Sequence, residues 1–407
     1  MPQIPVIIVG AGPAGSVLAG LLAQREIETL LLDKATFPRE KICGDYLSPG
    51  TVRLLDQLNL LDLVRSAGAQ RLWGMTVISP DGTTFTAEFP VITEINGSPP
   101  FALSIPRAIL DSLLLTWARG FGVQCVEGFR VTDLIFENGR VCGVTGIGPT
   151  GQKTYRGRIV VGADGRDSVV ARRLGLYQPH PTLRRMAMVA YYAGARCNVP
   201  LQDHGLICIG DRSYCILNPI GERLANAAIV MDQGIVQGWK GKLDELFDGR
   251  LQAFPLALSA LGSTTRRGPV RCLGPLAFRA HHAAKAGALL IGDAAGFYDP
   301  FTGEGVGHAL CSAKLATREV VSAIAEGDGG LTEAHLWRFD DEQRKAVTSR
   351  TRLGAILQAI IRRPGAANAV AQLLRRRQPF ADLMLGVVGD LLPPHTLFSL
   401  DTLRALL

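Results

Sequence analysis

The sequence predicts a two-domain α/β fold, with a Rossmann-type dinucleotide-binding domain, a second domain built on a β-sheet and a helical C-terminal segment. Three observations lead to this prediction. A buried strand, a glycine turn and a helix follow one another between Val6 and Arg25, which is the order of a βαβ nucleotide site. Two later buried strands end in acidic turns. A β-rich stretch from about Met186 to Val270 separates those two strands.

Composition indicates a globular protein that interacts with anions. The chain has 407 residues, of which 47% are hydrophobic and 19% are charged, and its formal net charge is +7. This length suits two or three domains, and this composition excludes a disordered chain. Arginines are not interleaved with aromatic residues along one stretch, so we expect no nucleic-acid binding. An anionic cofactor, an anionic substrate or an anionic membrane surface explains the positive charge better.

Cysteine usage and hydropathy bear on the compartment. The eight cysteines are scattered, without a C-x-x-C pair or a Cys/His ligand spacing. They predict reduced thiols in a cytoplasmic protein and no metal site. We expect no signal peptide before the first strand, and no apolar run reaches the roughly 18 residues that span a bilayer.

The first glycine motif carries the strongest signal. Gly10-x-Gly12-x-x-Gly15 follows the strand Val6 to Val9. Gly10 would make the sharp turn, Gly12 would let the backbone approach a pyrophosphate, and Gly15 would let a helix from Ser16 to Arg25 pack on the strand. Asp33 ends the next strand, where a ribose-binding carboxylate belongs. The alternative for Asp33 is an ordinary acid at a strand end.

The next segments predict a long loop and then β structure. Residues 37–50 are rich in Gly, Pro and charge, which is typical of a functional loop, and one helix is predicted over residues 51–67. Strands are predicted within 73–91, around an Asp81-Gly82 turn. A helix over 104–120 and strands at 124–126, 131–136, 140–144 and 153–161 follow. The glycine pattern recurs from Gly146 to Gly151, but a strand follows it, so we expect a hairpin loop there.

Two acidic turns and a glycine loop complete the pattern. A buried strand ends at Asp164-Gly165 and leads into a short helix over 169–174, and another ends at Gly292-Asp293. The β-rich stretch between them has predicted turns at 211–212 and 220–222 and a helical interlude over 236–261. Gly303, Gly305 and Gly307 precede a helix to about residue 326, which leaves backbone N–H groups free to face a ligand.

The tail over 331–407 is predicted to be helical and amphipathic. It carries arginine patches at 362–363 and 375–377. These patches are either solvated helix faces or a contact that makes the protein peripheral to a membrane.

The glycine motif and the two acidic turns together resemble the FAD-dependent oxidoreductases of the p-hydroxybenzoate hydroxylase fold, over residues 1–326. Lys41-x-Cys43-Gly44-Asp45 and Pro300-x-x-Gly303-Glu304-Gly305 are most similar to the geranylgeranyl reductase branch. The W-x-W-x-I-P segment of flavin halogenases is absent from the sequence. We assign residues 1–70, 101–180 and 273–330 to a FAD-binding domain, 71–100 and 181–272 to a β-sheet substrate domain, and 331–407 to the C-terminal helical segment.

The resemblance implies which residues hold FAD. Arg107 would lie against the FAD phosphates, the backbone of Val131 would touch adenine, and Asp293 would bind the ribityl-side ribose and pyrophosphate. Asp164 and Gly165 would span flavin and nicotinamide functions. The full set of implied cofactor-binding residues is Gly10, Gly12, Pro13, Ala14, Gly15, Asp33, Lys34, Cys43, Gly44, Arg107, Val131, Asp164, Asp293, Pro300, Gly303, Gly305 and Val306.

The geranylgeranyl reductase branch implies hydride transfer from flavin N5 to a C=C bond of an apolar, prenyl-type substrate. The alternative is an NAD(P)H-dependent flavin monooxygenase that hydroxylates or epoxidises an apolar or aromatic substrate. Both begin with reduced flavin, so the cofactor motifs do not choose between them. A FAD-bound protein without catalysis is disfavoured by the intact glycine loop. Since no second strand–glycine–helix unit exists, NAD(P)H or another electron donor would bind transiently.

Several side chains keep two interpretations. Cys43 is the candidate catalytic residue, as a proton donor near the flavin, or else it is a small residue that positions Gly44. Asp45 and Tyr46 either shape the pocket mouth or cap the next helix. Glu304 either does acid–base work or is held by backbone contacts. We expect His308 to be a packed histidine. The remaining aromatic candidates, which line either a pocket or a sheet core, are Trp73, Tyr191 and Tyr192.

Overall fold

The computed structural model describes residues 4–92, 94–194, 203–221, 223–327 and 330–399. The α-helices in these ranges are α1 (Pro13–Ala23), α2 (Pro49–Gln57), α3 (Leu61–Ser66), α4 (Arg107–Arg119), α5 (Val169–Arg173), α6 (Gln233–Gln237), α7 (Leu243–Gln252), α8 (Pro255–Leu261), α9 (Gly305–Ala325), α10 (Glu333–Ile361), α11 (Pro364–Arg376) and α12 (Gln378–Val388).

The strands are β1 (Ile4–Val9), β2 (Thr29–Leu32), β3 (Tyr46–Leu47), β4 (Gln70–Leu72), β5 (Gly74–Ile78), β6 (Thr84–Glu88), β7 (Ala102–Ser104), β8 (Gln124–Val126), β9 (Arg130–Glu137), β10 (Arg140–Gly148), β11 (Gly151–Gly162), β12 (Tyr177–Pro179), β13 (Arg185–Ala193), β14 (His204–Gly210), β15 (Ser213–Pro219), β16 (Leu224–Asp232), β17 (Thr265–Leu273), β18 (Phe278–Ala280), β19 (Ala284–Lys285), β20 (Ala288–Leu290) and β21 (Gly296–Phe297).

An eight-stranded sheet forms the centre of the first domain. Its main path is β19-β20-β11-β1-β2-β8, and β9 and β10 extend from β11 as antiparallel strands. The central strand β1 is parallel to both β2 and β11. Its side chains alternate between two cores, because successive residues of a strand point to opposite faces. Val6 and Ile8 pack towards α1, α4 and α9, and Ile7 and Val9 pack towards β9, β10 and α5.

A seven-stranded sheet forms the centre of the second domain, in the order β17-β13-β16-β15-β14-β5-β6. Helices α6, α7 and α8 cover one face of it, where Tyr192 is buried. Side chains from α10 and the end of α12 pack with residues of the same sheet in another apolar cluster, and α11 and α12 pack against β6. The sequence therefore predicted the two-domain α/β fold correctly.

The local predictions differ from the structure in several places. Helix α1 begins at Pro13 rather than Ser16, because Gly12 is the N-cap and Pro at the first helical position has a preset φ. The single helix predicted over 51–67 is two helices, α2 and α3, and Asn59 between them has a φ of +56°. The predicted loop contains the short strand β3. The predicted turn at 220–222 and the end of the tail fall partly on Glu222 and 400–407, outside the described residues.

One other sequence prediction is confirmed. The second glycine pattern is a hairpin, in which Gly148 of β10 pairs with Gly151 of β11. No helix within the described ranges is long and apolar enough to cross a membrane.

Candidate active site

The first glycine turn is packed too tightly for side chains at two of its three glycines. Gly10 has a φ of +105°, and a Cβ on it would lie 2.4 Å from the carbonyl oxygen of Ala163. A Cβ on Gly15 would lie 1.8 Å from the carbonyl oxygen of Gly10. Gly12 differs, since its φ is −73° and the nearest atom to a built Cβ is the Arg39 guanidinium at 3.5 Å. The turn therefore opens only at Gly12, where helix α1 begins.

The start of α1 is electrostatically suited to an anion. No side chain caps it, and its first turn holds no acidic residue. Arg39 adds a positive charge beside Gly12, although its guanidinium also pairs with Asp111 at 3.1 Å. A cation next to the positive end of a helix is favourable only with an anion between them. These residues fit the pyrophosphate of a dinucleotide.

Asp33 stands at the other side of the same turn. Its carboxylate accepts hydrogen bonds from the backbone N–H of Ala11 at 2.7 Å and of Ala35 at 2.8 Å. Each carboxylate oxygen keeps a further lone pair that can accept from a ribose hydroxyl. Lys34 is exposed next to it, and Val131 is buried in the core shared with β1 and β2.

Arg107 is buried and already has an anionic partner. Its Nε and Nη2 donate to the two oxygens of Asp111 at 2.6 and 2.9 Å, and its Nη1 lies 3.8 Å from the Cys43 sulfur. Burial works against the charge, but Asp111 raises the pKa of Arg107 above its ordinary value. Only Nη1 is therefore left to face Cys43 and a cofactor.

Lys41 joins the long loop to the second acidic turn. Its Nζ lies 3.8 Å from Asp293 and 4.0 Å from the position of a Cβ on Gly165. Burial and the neighbouring Arg107 lower the pKa of the Lys41 ammonium. The Asp164 carboxylate accepts from the Ser168 hydroxyl at 2.6 Å and from the Val169 N–H at 2.7 Å, next to the start of α5, whose N-cap is Ser168. Burial raises the pKa of Asp164.

The third glycine segment forms a turn ahead of α9. Pro300 starts a short 3-10 turn, and Gly303 has a φ of +68° that favours glycine. A Cβ on Gly303 would lie 2.4 Å from the Tyr46 ring. Helix α9 then begins at Gly305 without a side-chain cap, while Val306 is buried in the core. The Gly303 N–H donates to the Pro300 carbonyl at 3.0 Å, so the N–H groups that can face a ligand are those that follow Gly303 at the start of α9.

Glu304 and His308 flank that turn. Burial raises the pKa of Glu304 to about 7, although Arg350 lies 3.1 Å away and favours the charged form. The His308 Nε2 contacts the Gln343 amide nitrogen at 2.9 Å, and burial lowers its pKa. His308 is half-buried and packed against Gln343, which agrees with the prediction of a packed histidine.

Asp45 has neither of the roles that the sequence suggested, and Tyr46 does not cap the next helix. Asp45 is 1% exposed, so it does not shape a pocket mouth, and burial raises its pKa. The cap of α2 is Ser48, whose hydroxyl accepts from the Thr51 N–H. Tyr46 packs on Gly303 instead.

The sequence analysis missed several residues of this site. Arg39 and Asp111 complete the charged network of the first domain. Asn218 and Asn226, on neighbouring strands of the second domain, donate to the carbonyls of Gly44 and Cys43 at 2.9 and 2.8 Å. The available signal was an asparagine within each of two otherwise apolar strands.

An apolar cavity of about 90 Å³ lies between the seven-stranded sheet and the C-terminal helices. Every side chain that lines it is aliphatic, Met or Phe. One of them is Phe301, from the glycine segment ahead of α9. Others come from β5, β6, β14, α10, α11 and α12.

Two separate sets of contacts join some of the predicted site residues. In the first, Arg39 connects Gly12 to Asp111, Asp111 pairs with Arg107, and Arg107 contacts Cys43. In the second, Lys41 connects Asp293 to Gly165. A glycine turn suited to a dinucleotide, a second glycine turn and an apolar cavity are typical of a flavin-dependent oxidoreductase, and the family match agrees.

The chain belongs to the FAD binding domain family, whose model matches residues 3–335. Digeranylgeranylglycerophospholipid reductase of Methanocella arvoryzae is 28% identical over 85% of this chain and 84% of its own length. Conditioned medium factor receptor 1 of Dictyostelium discoideum is 27% identical over 83% of this chain, which spans 66% of that protein.

Similar solved structures include a flavin-dependent brominase, with a TM-score of 0.82, 19% identity and coverage of 95% of this chain and 94% of that one. This likeness shows the fold alone. Halogenases also occur among the similar proteins.

Proposed function

We propose that this protein is a FAD-dependent oxidoreductase that reduces a C=C bond of an apolar, prenyl-type substrate. The observation that carries the proposal is the apolar cavity, one of whose lining residues, Phe301, is two residues before Gly303. An aliphatic chain would lie in this cavity with one end beside the glycine turn. A reductase of isoprenoid lipids among the similar proteins supports the same substrate class.

The chain's own residues account for cofactor binding in this proposal. Gly12, Arg39 and Lys41 would hold the pyrophosphate, and Asp33 and Asp293 would accept from ribose hydroxyls. When bound, FAD supplies hydride from its N5 position. The Gly303 N–H already donates to the Pro300 carbonyl at 3.0 Å. The N–H groups of Glu304 and Gly305, with the dipole of α9, would stabilise negative charge on the reduced ring.

The cavity and the Cys43 loop account for the rest of the reaction. The aliphatic lining excludes water and orients the chain, so that only one region of the substrate reaches the glycine turn. The alkene needs a proton at its second carbon. The Cys43 thiol, which contacts Arg107, is our candidate for holding that proton.

Product analysis without oxygen tests the proposal. The purified holoenzyme would be reduced with dithionite and given prenyl alcohols or prenylated lipids. We expect each reduced double bond to gain two hydrogens, and free reduced FAD without protein serves as the control. A product that forms only in air and gains an oxygen atom would instead support the monooxygenase alternative.

The electron donor and the membrane contact are also proposals. We propose NAD(P)H as a transient donor, which anaerobic titration with NADH and NADPH tests. We further propose that the C-terminal helices touch an anionic membrane surface. Ile356 and Leu373 are 49% and 41% exposed, and Arg375, Arg376 and Arg377 are exposed near Leu373. Co-sedimentation with anionic and neutral vesicles tests this contact, with glutamine at all three arginines as the variant.

A further inference from the structure

One face of the seven-stranded sheet carries a polar row that meets the Cys43 loop. Tyr191 on β13 lies opposite Asn226 on β16, and Asn226 lies opposite Asn218 on β15. Residues directly opposite each other across neighbouring strands point to the same face. The three polar side chains therefore stand side by side across three strands.

The row binds three consecutive residues of the loop. Asn226 donates through Nδ2 to the carbonyl of Cys43 at 2.8 Å and to the carboxylate of Asp45 at 2.9 Å. Asn218 donates to the carbonyl of Gly44 at 2.9 Å. The Tyr191 hydroxyl donates to the same Asp45 carboxylate. The second domain thus fixes the backbone on both sides of Gly44.

The first domain binds the same residue from the other side. The backbone N–H of Arg107 donates to the Asp45 carboxylate at 3.0 Å, and that of Ile105 donates to the Asp45 carbonyl at 2.9 Å. Asp45 also has a φ of +54°, a conformation that is unfavourable for a residue with a Cβ. A buried carboxylate in a strained conformation is maintained only by specific partners. Asp45 is therefore hydrogen-bonded to both domains and connects them at the Cys43 loop.

The polar row continues into the wall of the apolar cavity. A Cβ on Gly205 of β14 would lie 3.0 Å from Oδ1 of Asn218 and 2.4 Å from the sulfur of Met75. Met75 lines the cavity. The face of the sheet that would contact the substrate is thus the face that holds the Cys43 loop, on strands that neighbour one another.

We propose that Tyr191, Asn218 and Asn226 are positioning residues that set the Cys43–Gly44 loop, and hence the Cys43 thiol, at a fixed distance from the cavity wall. The assignment rests on the proposed function for its catalytic consequence. The hydrogen bonds from the polar row to the Cys43 loop are made within the protein and require no cofactor. Because of them, the substrate sheet and the Cys43 loop move as one unit.

The test replaces the row and follows the loop directly. Asn226→Ala removes two hydrogen bonds to the loop, and Asn218→Ala removes one and serves as the milder variant. The matched control is Thr76→Val, because Thr76 is a buried residue of the same sheet whose hydroxyl pairs with Thr86 at 2.9 Å, away from the loop. All variants would be prepared as FAD-loaded protein and checked by thermal melting.

Three readouts are measured: the rate of Cys43 alkylation by iodoacetamide from its peptide mass, the visible flavin spectrum, and kcat and KM for alkene reduction. We expect both asparagine variants to change the alkylation rate and the spectrum, and to lower kcat by roughly 10- to 100-fold with little change in KM, since small misplacements of reacting groups have effects of that size. Thr76→Val should leave all three unchanged.

The proposal is overturned if folded Asn218→Ala and Asn226→Ala proteins match Thr76→Val in Cys43 alkylation and flavin spectrum. If Asn226→Ala does not fold, the alkylation rate and flavin spectrum of Asn218→Ala decide whether the proposal holds. Wild-type protein that does not reduce alkenes would contradict the proposed function instead. In that event alkylation and spectrum still decide whether the row positions the loop, so the two failures are distinguishable.

Discussion

The Nζ atom of Lys41 lies 3.8 Å from Oδ2 of Asp293, which joins the loop after β2 to the turn after β20. Asp293 also lies close to the third glycine segment, since a Cβ on Gly305 would be 4.0 Å from its Oδ1. Lys41, together with Arg39 beside Gly12, places two cationic side chains next to the glycine backbone. A pyrophosphate would complete the charge balance beside these cations.

Gly12 separates cofactor binding from folding. We expect Gly12→Val to fold, because its φ is already favourable for any residue and a Cβ there meets only Arg39. The variant should lose FAD affinity by at least about 100-fold, or about 2.7 kcal/mol, since a side chain would occupy the pyrophosphate position. Flavin absorbance after gel filtration and a circular dichroism spectrum measure the two properties.

Gly15→Ala is the matched control for that change. Its Cβ would meet the Gly10 carbonyl oxygen at 1.8 Å, so this variant should fail to fold rather than simply lose flavin. A folded, yellow Gly12→Val protein would contradict the assignment of this turn to FAD.

Cys43→Ser tests the candidate proton donor. We expect FAD binding and thermal stability to be retained, because the change is small and the loop is held through its backbone. Alkene reduction should fall by roughly 100-fold, the usual order for losing a general acid. Cys125→Ser is the control, since Cys125 is also partly buried but lies on β8. Equal rates of alkene reduction by the two variants would show that Cys43 is not the proton donor.

The ionisation of Glu304 predicts a pH effect on stability. Burial raises its pKa from 4.5 to about 7, so the folded protein holds a proton that the unfolded chain has released. The contribution of this group to stability is therefore lost as pH rises from about 4.5 to about 7. Glu304→Gln mimics the protonated form at every pH.

Thermal melting of both proteins measures that effect. Between about pH 5 and about pH 8, the melting temperature of Glu304→Gln should rise relative to that of the wild type. The corresponding gain in the free energy of unfolding is on the order of 2–3 kcal/mol. A stability difference that is constant across this range, or that falls, would contradict a raised pKa of Glu304 in the folded protein.

Ala371→Phe tests whether the apolar cavity holds the substrate. Ala371 on α11 is 3% exposed and lines the cavity, so the larger ring would shorten it at a cost of about 1–3 kcal/mol in stability. We expect KM to rise about tenfold for long prenyl chains and to stay unchanged for short ones. Leu373→Phe, on the exposed side of the same helix, should alter neither. Equal effects on long and short chains would place the substrate elsewhere.

Sequence patterns predicted the elements that local spacing defines. The strands that end in Asp33, Asp164 and Asp293 could be read from apolar runs followed by acidic turns. Partners distant in sequence could not. Asp45 shows the difference, because neither its positive φ nor its burial against β13 and β16 has a local signal. Asp111 is a mixed case, because Arg107 lies four residues before it on α4, a spacing that a sequence shows, whereas its second partner, Arg39, is distant in sequence.

Anaerobic single-turnover reoxidation tests the central claim most directly. The FAD-loaded protein would be reduced with dithionite, freed of excess reductant and mixed with a prenyl alkene in the absence of oxygen. The account predicts that the visible absorbance of oxidised flavin returns as one double bond per flavin becomes saturated. Flavin that stays reduced until oxygen is admitted, with an oxygen atom then found in the product, would contradict it.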